Sequence, residues 1–155
     1  MGWFKCNTDG ASRGNPGMSF AAFCIRNGRG DLMYAAARTL NDTTNICAEA
    51  IAIEDGIEYC VTHQFLPMIM KTDSLALLNI IRKIWSIPWN VRMEIRRIQY
   101  WSNKGQVQFA HILREGTLHV NNFEEFPSDS KIILNMDKAL LPSFKYKVYK
   151  SKEPD

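Results

Sequence analysis

The stretch Asp9-Gly10-Ala11-Ser12-Arg13-Gly14-Asn15-Pro16-Gly17 carries the reading of this chain. Residues 3 to 8 before it alternate apolar and polar side chains, the pattern of a half-buried strand. Glycine, asparagine and proline crowd the run itself, which predicts a strand that ends at Asp9 and a turn-forming segment after it. A carboxylate at a strand end stands at the rim of a sheet, where a ligand can reach it. Two further acids sit in comparable settings: Glu49 in Ala48-Glu49-Ala50 near a helix start, and Asp73 in Thr72-Asp73-Ser74 at a strand end. Their spacing allows all three to gather around one divalent metal site.

Working outward, residues 18 to 26 are apolar and β-prone, and 31 to 38 return after the turn Asn27-Gly28-Arg29-Gly30. Three antiparallel strands follow from this. Residues 45 to 62 switch to helical period, with Ala50, Ile53, Ile57, Cys60 and Val61 on one stripe and Thr44 or Asn45 as cap. At about 100° per residue, Glu49 falls at the stripe's edge in the first turn, while Asp55 and Glu58 point to solvent. Phe65 to Thr72 reads as a fourth strand, Leu75 to Trp85 and Val91 to Asn103 as helices split by Ile87-Pro88-Trp89, and Val107 to Leu113 as a fifth strand. The order βββαβααβ predicts an α/β domain. Its mixed five-stranded sheet has strands 1 to 3 antiparallel, strands 4 and 5 parallel to 1, and helices on both faces. The ends of strands 1 and 4 are then neighbours, which brings Asp9 and Asp73 together. The domain is expected over residues 1–126, with an extended or partly disordered tail over 127–155. Within the tail, Phe144-Lys145-Tyr146-Lys147-Val148-Tyr149-Lys150 alternates aromatic or apolar residues with lysine, suited to a nucleic-acid backbone, to an added edge strand or to simple packing.

The chain has 155 residues, 46% of them hydrophobic, enough for one domain with a sizeable core. No apolar run is long enough to span a bilayer and the first residues lack a signal-peptide pattern, so a monomeric, intracellular protein of nucleus or cytoplasm, away from membranes, is expected. Cys6, Cys24, Cys47 and Cys60 form no Cys-x-x-Cys pair and read as reduced structural thiols. Net charge is +3, and engaging three acids with metal would leave about +6 on the rest, a balance that suits a polyanionic partner. Residues 42 to 60 carry five acids and no base, whereas residues 82 to 104 carry Arg82, Lys83, Arg92, Arg96, Arg97 and Lys104 against Glu94 alone.

The three acids in order, the first within Asp-Gly-Ala-Ser-x-Gly-Asn-Pro-Gly, resemble the type 1 ribonuclease H family. The closest likeness is to its plant branch, related to the ribonuclease H domains of retroelement reverse transcriptases. The resemblance covers about 120 residues, Trp3 to Asn121. It implies a ribonuclease H-like fold and cleavage of the RNA strand of RNA/DNA hybrids, with two Mg²⁺ ions about 4 Å apart and Mn²⁺ as substitute. It also implies that Asp9 bridges both metals, that Glu49 and Asp73 hold one of them, and that His111 moves the water proton or helps product leave. Asn15, Thr44 and Asn45 would lie along the hybrid's minor groove and touch ribose 2′-hydroxyls. Arg92, Arg96 and Arg97, with Trp85 and Trp89 nearby, would take the DNA-strand phosphates, although core or helix packing is the commoner use of such tryptophans.

Two positions depart from the family pattern. Ile46 replaces an asparagine of the minor-groove set. Where the family has its final catalytic and metal-binding aspartate, ten residues after His111, this chain has Asn121. An amide oxygen still ligates a cation but brings no charge, a loss of roughly 4 kcal/mol at 4 Å and an effective dielectric near 20. Glu115, Glu124 or Glu125 are the acids near enough in sequence to substitute. The expectation is a divergent metal-dependent endoribonuclease; the alternative is a catalytically impaired module of the same fold that binds nucleic acid or a protein partner.

Overall fold

The computed structural model describes residues 2–112. Its elements run β1 (Phe4–Gly14), β2 (Gly17–Arg26), β3 (Leu32–Thr43), α1 (Asn45–Thr62), β4 (Met68–Thr72), α2 (Leu75–Ile81), a 3₁₀ turn (Trp89–Val91), α3 (Arg92–Ser102) and β5 (Val107–His111). The strands form one sheet in the order β3-β2-β1-β4-β5. β1, β2 and β3 are antiparallel neighbours, and β4 runs parallel to both β1 and β5. This is the predicted mixed sheet. Asn121, the domain end at 126, the replacement acids Glu115, Glu124 and Glu125, and the tail all lie outside the described residues.

One core joins the sheet to the helices. Cys6 of β1, Phe23 and Ile25 of β2, and Met68 and Met70 of β4 meet Ile53, Ile57 and Cys60 of α1, Leu77 and Ile80 of α2, and Ile95 and Ile98 of α3. A smaller cluster, Ala22 and Cys24 with Phe20, Leu32, Ala35 and Ala37, lies on the opposite face of β2 and β3. All four cysteines are buried thiols outside any disulfide, as their scatter suggested.

The opening run behaves differently from its turn-like composition. β1 does not end at Asp9 but continues to Gly14, paired with β2 through Gly14↔Gly17, so the turn shrinks to Asn15 and Pro16. Gly14 takes a φ of +118°, open to glycine alone at little cost. Gly10 serves a close approach instead: a Cβ there would overlap the backbone of Ala48 and Glu49. Gly56 does the same from the helix side, where an added Cβ would lie 2.9 Å from Cys6 Sγ. Two glycines, one on each partner, let α1 settle against β1.

Other boundaries move for local reasons. The predicted helix from Leu75 to Trp85 stops at Ile81, because Lys83 adopts a φ of 63° and the amides of Ile84 and Trp85 turn back to Asn79 O. Trp85 and Trp89 therefore do not pack in the core; they are 53% and 84% exposed. The fourth strand starts at Met68 rather than Phe65, after Pro67, which has no N–H to give a ladder. β3 runs to Thr43 rather than residue 38, held along the lengthened β2. β5 spans Val107–His111, the expected end at Leu113 lying outside the described residues, and α3 starts at Arg92 because the 3₁₀ turn takes up Val91. Asp55 is not a free solvent-facing acid, since it grips Arg38 in a bidentate pair at 2.7 and 3.1 Å; Glu58 is exposed as expected.

Candidate active site

Asp9 lies in the middle of β1, opposite Ala22 of β2. On its other side β1 pairs with β4 in parallel as far as Asn7↔Lys71, with the Thr8 hydroxyl donating to Lys71 O at 3.3 Å. Two residues beyond that pair, Asp9 stands level with Asp73, the first residue after β4 ends at Thr72. Glu49 arrives there by packing: the overlap that excludes a Cβ at Gly10 places the Glu49 backbone directly against the residue after Asp9. Glu49 is the fifth residue of α1, one position past the first turn, and that turn contains no acid. All three acids are partly exposed, so the site is open to a ligand.

Neighbouring groups fix this end of the molecule. Thr44 caps α1, its hydroxyl accepting from Cys47 N at 3.3 Å. Asn45 Oδ1 accepts from Ser12 N at 2.8 Å, while Asn45 N donates to Asn15 Oδ1 at 3.1 Å. The Ser12 and Ser19 hydroxyls both donate to Thr43 O, at 2.8 and 3.1 Å. These bonds clamp the β1–β2 hairpin tip to the start of α1, which holds Glu49 in register with Asp9. Ser74 caps α2 by accepting from Leu77 N at 3.3 Å, and Thr72 Oγ1 accepts from Ser74 N at 3.1 Å, which fixes the chain on both sides of Asp73.

His111, at the end of β5, sets its Nε2 3.1 Å from Asp73 O. A carbonyl only accepts, so this contact requires the proton on Nε2. The structure thus brings Asp9, Glu49, Asp73 and His111 to one sheet end and puts Asn15, Thr44 and Asn45 beside it. Ile46, in place of the family's asparagine, packs against the core.

The basic residues are less uniform than their sequence suggested. Arg92 and Arg96 are exposed on α3, and Trp85 and Trp89 are exposed in the segment that precedes it. Arg97 donates to Glu54 Oε1 at 3.3 Å and balances a nearly buried acid. Burial pushes the Glu54 carboxyl above its ordinary range, and Arg97 only partly offsets this. Sequence reading missed this pair, because its members are distant in sequence and meet only when α1 packs on α3. Lys71, on the strand leading to Asp73, has its amine lowered by partial burial and by Lys5.

As donors, Asp9, Glu49 and Asp73 offer carboxylate oxygens alone, the chemistry of a hard divalent cation. Among the described residues, no three His, Cys, Asp or Glu side chains are grouped so as to hold a metal ion by themselves. No helix among them is long and apolar enough to cross a membrane.

The reverse transcriptase-like family profile matches residues 7–123. No curated protein matches the chain. Among solved structures, ribonuclease H1 from the halophilic archaeon Halobacterium salinarum is 23% identical, with a TM-score of 0.69 over 73% of this chain and 87% of its own. The N-terminal ribonuclease H domain of a Mycobacterium tuberculosis protein is 17% identical, with a TM-score of 0.68 over 72% of this chain and 87% of that one. LC11 ribonuclease H1, isolated from compost and solved in complex with an RNA/DNA hybrid, is 20% identical, with a TM-score of 0.67 over 88% and 99% of the two chains.

Proposed function

The chain belongs to the reverse transcriptase-like family and has the ribonuclease H fold, and from that premise we propose that it is a divergent, metal-dependent endoribonuclease acting on the RNA strand of RNA/DNA hybrids. The observation that carries the proposal is the meeting of Asp9, Glu49 and Asp73 at one end of the sheet, enforced by the parallel β1–β4 register and the Gly10 contact. Their oxygen-only chemistry fits Mg²⁺, which supplies an activated water and neutralises charge on the scissile phosphate. Asp9, Glu49 and Asp73 are the residues that would hold such an ion, and it would share its ligands with water and substrate phosphate.

The protein's own residues divide the remaining work. His111 sits at the mouth of the site with its Nδ1 edge available to a proton, tethered through Nε2 to the Asp73 backbone. Asn15, Thr44 and Asn45 form the rim that meets ribose 2′-hydroxyls of the RNA strand. Arg92 and Arg96 bind the other strand's phosphates, and the exposed tryptophans lie against its sugars and bases. A second reading rests on Asn121. The loss of one charge there leaves a module that binds hybrids and turns them over poorly or not at all.

Purified protein with Mg²⁺ or Mn²⁺ and a labelled hybrid separates the two. Cleavage that is absent with duplex DNA and lost in Asp9→Asn supports the nuclease. Hybrid binding without cleavage at high enzyme concentration supports the impaired module.

A further inference from the structure

Along the second half of α1 lies a cavity of about 450 Å³. Tyr34, Ala36 and Arg38 of β3 form one wall, and Asp55, Glu58 and Tyr59 of α1 the other. Tyr59 is sandwiched between Tyr34 and His63, each ring 3.9 Å away and within 16° of parallel. This stacked column is a stiff apolar wall with little rotamer freedom left to lose. Arg38 already lies in the groove, fixed by both oxygens of Asp55. Asp55 foremost, helped by Glu54 and Glu58, holds its guanidinium above the ordinary value against the opposing effect of partial burial. Glu58 is exposed and, among the described residues, has no ion-pair partner. The groove thus cradles one cation of its own and leaves a carboxylate for another.

The strand beside it is also uncommitted. Among the described residues β3 pairs only with β2, and none of its twelve residues is buried. A long strand edge presents unpaired N–H and C=O groups that accept another extended chain. Asp55 and Glu58 outnumber Arg38 among the groove's charged residues, a balance that favours a cationic partner.

We propose that the β3 edge and this groove dock an extended basic peptide of a partner protein, its backbone pairing with β3 and a lysine or arginine side chain lying along the Tyr59 and His63 wall to reach Glu58. The site is separate from the catalytic end. Asp55 lies six residues beyond Glu49, about 9 Å along the helix axis, and His63 about 21 Å beyond it. A peptide bound here leaves the acids at the other end of α1 accessible, so docking and hybrid binding can occur on one molecule.

The test uses the full chain and a labelled synthetic peptide alternating lysine and valine, with a glutamate-for-lysine peptide as control. Anisotropy gives affinity, and amide shifts in ¹⁵N-labelled protein give location. The lysine peptide alone is expected to bind at low salt, shifting amides of Tyr34, Ala36, Arg38 and Tyr59. Glu58→Lys, with an unchanged circular dichroism spectrum, should bind it about tenfold more weakly. No binding, equal binding by Glu58→Lys, or shifts centred on Asp9 and Asp73 would overturn the proposal. So would movement of the same β3 amides in the unliganded chain when Lys145→Glu, Lys147→Glu and Lys150→Glu are combined, because the groove would then belong to the chain's own segment.

Discussion

Replacing Gly10 with alanine tests the contact that brings Glu49 to Asp9. The new methyl would overlap backbone atoms of Ala48 and Glu49, which cannot swing aside as a side chain can. To restore van der Waals distance, the start of α1 must retreat by about 1 Å. Overpacking of this kind costs about 1 to 3 kcal/mol. Against it stands the gain from a less flexible unfolded chain, about 0.4 to 1 kcal/mol for Gly→Ala. A net loss of about 2 kcal/mol is expected in urea denaturation. Two other glycines grade the effect. Gly56→Ala meets Cys6 Sγ at 2.9 Å and Gly105→Ala meets the mobile end of Leu66 at 2.6 Å, so both should cost less. Hybrid cleavage by Gly10→Ala should fall about a hundredfold even where the protein stays folded, since a misplacement near 1 Å breaks catalytic alignment. A Gly10→Ala variant as stable as wild type, or less affected than Gly105→Ala, would refute this reasoning.

Other substitutions probe the parts separately. Glu54→Gln should abolish a pH dependence: burial raises the Glu54 carboxyl, the folded state holds that proton to higher pH than the unfolded one, and wild-type stability declines as pH rises through that window. Urea melts from about pH 4 to about pH 7 should show this decline in wild type and not in the variant. Thr44→Ala removes the acceptor for Cys47 N and should cost about 1 kcal/mol in the same assay. Arg92→Gln combined with Arg96→Gln should weaken hybrid binding and reduce the slope of log affinity against log salt by about 2; an unchanged slope would remove these arginines from the interface.

Features that depend on chain-local physics were legible in the sequence. Strand alternation, the helical stripe of Ala50, Ile53, Ile57 and Cys60, the Thr44 cap and the proline break near Pro88 each act within a few residues, and together they specified the mixed sheet. The neighbouring ends of strands 1 and 4 then brought Asp9 and Asp73 together. What escaped was tertiary. Gly10 looked like a turn residue because composition cannot distinguish a glycine needed for φ from one needed for a close approach. Helix α2 looked longer because Lys83 shows no sign of a left-handed turn, and Trp85 and Trp89 were left bare as a result. The Arg97–Glu54 pair was invisible because its members come from different helices.

The most direct measurement is the hybrid-cleavage rate, in Mg²⁺ and in Mn²⁺, of wild type, Asn121→Asp and the double variant Asp9→Asn with Asn121→Asp. If Asp9, Glu49 and Asp73 form an intact site weakened by one missing charge, Asn121→Asp should cleave about a hundredfold faster or more, as a deficit of several kcal/mol requires. The double variant should lose that gain. An Asn121→Asp protein no faster than wild type, or a double variant that keeps the activity, would contradict the account.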